Sequence, residues 1–127
     1  MTDDLKEKYG KFQAVILENN PTANLERIRA AFDYAHNAHS KQLRKDGNPY
    51  IVHPLAAAEI VAEMGLDEEA IMAALLHDVV EDTNTTLEEI SKRFGASVAA
   101  IVDGVTKLSR VQFTSKEEQQ VENLRKM

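Results

Sequence analysis

The chain has 127 residues, 43% of them hydrophobic, and a net charge of −6 from 15 basic and 21 acidic side chains, with no cysteine. That size suits one domain with a real core. The missing thiols exclude disulfides and a thiolate metal centre, so any metal must be held by histidine and carboxylate. The acidic balance argues against non-specific attraction to nucleic acid or an anionic membrane. No stretch approaches the ~20 apolar residues of a membrane span, and the acidic start Met1-Thr2-Asp3-Asp4 lacks an apolar signal core. A cytoplasmic protein is expected.

Alanine and leucine dominate the apolar set while Gly and Pro are few, which makes the expected class all-α, with about six to seven helices and no sheet. A first helix is expected from Asp4 to Glu18, with Tyr9, Phe12, Val15 and Ile16 as its inward stripe. Asn19-Asn20-Pro21 breaks it. A second runs from about Asn24 to Ser40, packing Ile28, Ala31, Phe32 and Ala35. His36 and His39 share a face near its end, where packing or solvation is a commoner fate than metal ligation. The polar stretch Lys41 to Tyr50 is long for a helix connection, and long loops in compact domains are often functional.

Pro54 suits the first turn of the next helix, Leu55 to Met64, and Gly65 suits its end. Asp67 is a plausible N-cap for the helix that follows. This short-looped hairpin makes the two helices antiparallel neighbours. His53 and His77 lie at similar distances from the turn, at about 1.5 Å of rise per residue, so they meet at the same end. Thr86-Leu87-Glu88-Glu89 reads as a capping box opening a short helix to Phe94. Gly95 ends it, and a helix from Ala96 to Leu108 is expected to bury Val98, Ile101, Val102 and Val105. Ser115-Lys116-Glu117-Glu118 is a second capping box, opening a helix to Met127 with Val121 and Leu124 as its apolar stripe. That short helix has nothing after it to pack on and is marginal alone, so the end reads as a cut in a longer protein.

The run Ala73-Ala74-Leu75-Leu76-His77-Asp78-Val79-Val80-Glu81-Asp82-Thr83 carries the chemistry. It begins apolar and ends in ionisable groups. Residues four apart share a helix face, so His77 sits over Glu81 and Asp78 over Asp82. Carboxylates near a helix C-terminus oppose the macrodipole, and buried charge is costly unless it is compensated. A divalent ion held by His53, His77 and Asp78 would compensate it. Such a set with open positions suits Zn, Mn or Fe. Glu81 and Asp82 then stand one turn beyond, placed to orient a water or move its proton. Arg44 and Lys45 approach the same mouth through the polar loop, where cations beside a metal favour a phosphorylated substrate and a guanidinium also stacks on a base. Solvated helix-end carboxylates and an exposed basic pair are the bland alternatives. Metal-dependent phosphoester hydrolysis is the expected chemistry. No phosphate-cradling glycine loop or serine elbow competes with it.

Gln42-Leu43-Arg44-Lys45, the string from Gly47 to Leu55, the run from Ala73 to Thr83, and Val102-Asp103-Gly104-Val105-Thr106-Lys107-Leu108 resemble the hydrolase domain of Rel/SpoT-type alarmone enzymes, from about Asn24 onward. The resemblance implies an HD-domain helical bundle. It implies removal of the 3′-pyrophosphate of (p)ppGpp to give GDP or GTP, with Mn²⁺ as cofactor and His53, His77 and Asp78 as its ligands. It implies that Glu81 and Asp82 activate water, that Arg44 stacks on guanine, and that Lys45 and Asp46 line the nucleotide site. Asp46 departs from the family, where Ser is common. The family's fourth ligand, an aspartate, follows the point where this chain stops, as does its synthetase domain. Residues 1–127 are therefore expected to be a partial HD domain and an incomplete hydrolase. Two other readings stand beside this one. One is an HD phosphohydrolase for a different nucleotide. The other is a non-catalytic module that self-associates into a homo-oligomer through Val121 and Leu124.

Overall fold

Among the described residues, four helices begin on a side chain that accepts a backbone N–H from the first turn. A computed structural model describes residues 2–40 and 49–107. Thr2 caps α1 (Asp3–Asn19), Asn24 caps α2 (Leu25–Ala38), Asp67 caps α4 (Glu68–Asp82) and Thr86 caps α5 (Leu87–Phe94), through the N–H groups of Leu5, Arg27, Ala70 and Glu89. Each such bond satisfies one of the orphan donors at a helix start and contributes roughly 1 kcal/mol. Between them lies α3 (Val52–Glu63), and residues 96–107 form a further helix, α6. No strand occurs among the described residues, so the all-α expectation holds.

The helix α4 is the axis of the bundle. Ile71, Met72, Ala73, Leu75, Leu76 and Val79 are all buried, so apolar side chains occupy nearly its whole circumference. A helix apolar on every side is stable only at the centre of a fold. It is flanked by α3 and α2, and α1 packs on α3. The aromatic side of the core is an edge-and-tilt group, Tyr9 lying 5.6 Å from Phe12 and 4.6 Å from Phe32 between ring centroids. Arg27 ties three helices together by donating to Glu68 at 3.0 Å and to the Phe94 carbonyl at 2.9 Å.

The α3–α4 turn sets the geometry of the site. The Gly65 N–H donates to Ala62 O and the Leu66 N–H to Val61 O, with Gly65 at φ +75°. This is a Schellman ending, which favours glycine at the left-handed position. Asp67 then caps α4 at once, so the chain reverses within a few residues.

Two expectations need correction. The helix α3 starts at Val52, two residues before Pro54, because a proline within the first turn lacks only an N–H that has no intrahelical partner. His53 is therefore on the helix rather than ahead of it. Val105, expected in the core, is 41% exposed, while Val98 and Val102 are buried. It stands at the rim of an apolar cleft of about 310 Å³, lined also by Ala57, Val61, Ala73, Ala74 and Ile101. The stretches expected to hold Val121 and Leu124, and the polar loop with Arg44, Lys45 and Asp46, lie outside the described residues.

Candidate metal centre

Three side chains from two helices converge where the hairpin opens. His53 projects from the first turn of α3, and His77 and Asp78 from the third turn of α4. His53 Nε2 lies 3.3 Å from Asp78 Oδ2, and His77 Nε2 lies 3.0 Å from Asp78 Oδ1. One ligand atom from each of the three falls within 4.8 Å of the others, the only such trio of His, Cys, Asp or Glu among the described residues. Asp78 is buried, His77 partly so, and His53 is at the surface. The cluster thus has a buried floor and an open mouth.

The protonation chemistry is fixed by one hydrogen bond. His77 Nδ1 lies 2.9 Å from the Ala74 carbonyl oxygen. A carbonyl only accepts, so Nδ1 carries the proton and donates. Nε2 is then the ring atom facing Asp78. Without a cation, that contact is attractive only when Nε2 is protonated too. The bond to Asp78 therefore raises the His77 pKa above its ordinary value, burial opposes the shift, and the Ala74 bond and the charges of Asp78 and Glu81 reinforce it. For Asp78, burial pushes the pKa up. The bond and charge of His77, the charge of His53 and the Tyr50 hydroxyl outweigh that, and the carboxyl is held below its ordinary value.

A divalent cation fits this donor set. Two imidazole Nε2 atoms and a carboxylate already face one another, and the second nitrogen of His77 is oriented by a backbone carbonyl, the arrangement usual for a ligating histidine. The ion would replace the shared protons on the same lone pairs.

The carboxylates Glu81 and Asp82 follow on the last turn of α4, and both are exposed. Asp82 is tied into the cluster by a residue the sequence did not single out. The Tyr50 hydroxyl donates to Asp82 Oδ2 at 2.7 Å and lies 3.3 Å from Asp78 Oδ2. Burial first, then the two carboxylates, push the Tyr50 pKa far above that of an ordinary phenol, so the hydroxyl stays a donor. No spacing in the sequence signals this contact, which joins the start of α3 to the end of α4. His36 and His39 take the bland course. His36 lies tilted against Phe32 at 5.8 Å, and His39, buried at the C-cap of α2, stacks on Tyr50 at 4.5 Å.

The chain and its fold have known counterparts. The family model described as HD domain matches residues 31–127, and the chain belongs to that family. It is 58% identical over 93 residues to a guanosine-3′,5′-bis(diphosphate) 3′-pyrophosphohydrolase from Haemophilus influenzae, a match covering 73% of this chain and 14% of that protein. It is 51% identical over 107 residues to the bifunctional (p)ppGpp synthase/hydrolase SpoT of Escherichia coli, covering 84% of this chain and 15% of that one. The chain thus spans about one-seventh of the length of these curated relatives. A solved structure of a metazoan ortholog of SpoT, which hydrolyzes ppGpp and plays a role in starvation responses, matches with a TM-score of 0.57 and 36% identity, over 61% of this chain and 46% of that one.

Proposed function

We propose that this chain is the metal-binding part of a domain that hydrolyses the 3′-pyrophosphate of (p)ppGpp, giving GDP or GTP and pyrophosphate, and so serves alarmone turnover in the stringent response. The observation that carries the reading is the convergence of His53, His77 and Asp78, with Glu81 and Asp82 one turn beyond. The likeness to relatives named for this reaction supports the choice of substrate.

In this reading His53 Nε2, His77 Nε2 and a carboxylate oxygen of Asp78 hold one divalent ion, Mn²⁺ by preference. When bound, it supplies Lewis acidity at the phosphoryl oxygens and makes water more acidic. Glu81 and Asp82 take the proton of the attacking water and keep it oriented. Water adds to the phosphorus joined to the 3′ oxygen, the bond to that oxygen breaks, and the oxygen takes a proton as pyrophosphate leaves. Arg44 stacks on guanine while Lys45 and Asp46 line the nucleotide site. A guanidinium suits both a base face and a phosphate. No helix among the described residues is long and apolar enough to cross a membrane, and we assign the protein to the cytoplasm.

The test is product analysis. With Mn²⁺ and ppGpp, a chain extended through the rest of the HD domain is expected to release GDP and pyrophosphate in equal amounts, and His77→Ala is expected to abolish release. Orthophosphate in place of pyrophosphate, or an extended wild-type chain that holds Mn²⁺ and leaves ppGpp intact, would overturn the reading. Arg44→Ala is expected to raise KM for guanosine substrates, and an unchanged substrate ranking would favour a different nucleotide.

A further inference from the structure

One side of the central helix α4 stays open. Ala70, Ala73, Ala74 and His77 follow the i, i+3, i+4, i+7 spacing of a single helix face, and all four line the apolar cleft of about 310 Å³. Ala70, Ala74 and His77 are only partly buried. The walls are apolar too, with Ala57 and Val61 from α3 and Ile101 and Val105 from α6. Alanine side chains reach no further than Cβ, so the floor is low. Larger side chains from a covering segment are needed to bring it to native packing density.

The chain supplies a cover of matching form. The described turns of α6 end at Lys107, just beyond Val105 at the cleft rim, and residues 108–127 continue from there. On that last turn Thr106 is 8% exposed, and its hydroxyl oxygen has no hydrogen-bond partner among the described residues. A buried hydroxyl ordinarily has one, so the end of α6 also lacks its cover. From Glu117 to Lys126 every residue is polar except Val121 and Leu124. Their spacing of three makes a narrow stripe on one helix face, and a short helix of this kind is stable only when that face is packed. The stretch from Lys107 to Ser115 extends up to about 25 Å. Ala70 to His77 covers about 10 Å along α4, so the stripe can turn back over the cleft within one molecule.

We propose, independently of any substrate, that the cleft between α3, α4 and α6 is the docking site of this chain's own residues 117–127, with Val121 and Leu124 seated on the alanine floor. One end of the cleft is His77. The seated segment therefore also walls the His53–His77–Asp78 centre on its apolar side.

Isotope-filtered NMR on the 127-residue chain tests it. Cross-peaks are expected between the methyls of Val121 or Leu124 and those of Ala70 or Ala74, within one molecule. Their absence would overturn the proposal. Cross-peaks found only between differently labelled copies would overturn it as well, and would make the cleft an interface between two chains. Ala70→Leu gives a second reading that turns on sign. In a filled cleft the added carbons overpack the floor, and Tm is expected to fall by about 3–10 °C. In an open cleft they would only cover apolar surface, so an unchanged or raised Tm contradicts the docking. Leu124→Asp is expected to shift the Ala70 and Ala74 methyl resonances, and resonances that stay in place would also contradict it.

Discussion

His53 Nε2 and Asp78 Oδ2 lie 3.3 Å apart across the α3–α4 hairpin. The two residues are brought together by a turn in which Gly65 and Asp67 end one helix and start the next. The position of a prospective ligand set thus depends on a few backbone angles about three helical turns away.

The turn can be tested directly. A Cβ added at Gly65 would meet no atom within 4 Å, but φ is +75°. Gly65→Ala is therefore expected to cost about 1 kcal/mol by backbone strain alone, and Asp67→Ala a similar amount by loss of the cap. Chemical denaturation of each variant checks both. A neutral Gly65→Ala would mean that the turn does not hold the conformation described.

The core around the site makes a separate demand. Leu76 is fully buried and directly precedes His77. Leu76→Ala is expected to lose about 2–5 kcal/mol, the transfer term plus the cavity it leaves. Equilibrium unfolding measures it, and a loss under 1 kcal/mol would contradict the packing of α4 at the centre.

The metal-free chain should titrate in stability through its cluster. The His77 pKa is raised above 6.5, so its stabilisation is complete below that value and is lost as pH rises through the raised folded-state value. The Asp78 pKa is lowered from 3.8, so its stabilisation is present above 3.8 and is lost as pH falls through the lowered value. Tm without metal is therefore expected to decline above pH 6.5, with the decline reduced in His77→Gln. Divalent-ion affinity is expected to weaken as pH drops through the raised His77 value, because proton and ion share Nε2. Thermal melts with and without chelator over a pH series would expose a flat profile, which would contradict the coupling.

His36 offers a control. It packs against Phe32 and away from the trio, so His36→Ala is expected to leave metal stoichiometry unchanged. Elemental analysis that found metal lost in this variant would place it among the ligands.

The helices were legible because their signals are local. Thr86, Asp67 and Asn24 are short polar side chains just ahead of apolar periodicity, and each caps as such residues do. The meeting of His53 with His77 followed from the hairpin alone. Tyr50 was not legible, since its role depends on a hydroxyl reaching from the start of α3 to two carboxylates on α4, and no spacing encodes that reach. Nor was the exposure of Val105, which the helical period places inward and only the arrangement of α3, α4 and α6 leaves at a cleft rim. The early start of α3 was hidden because proline is tolerated throughout a first helical turn, so it marks the turn and not the residue.

The central claim is that His53, His77 and Asp78 hold one divalent ion, and isothermal titration of the metal-stripped chain with Mn²⁺, beside Asp78→Ala, tests it most directly. One ion per wild-type chain, with affinity reduced at least about 100-fold in the variant, is the expected result. No binding by the wild-type chain, or undiminished binding by Asp78→Ala, would contradict it.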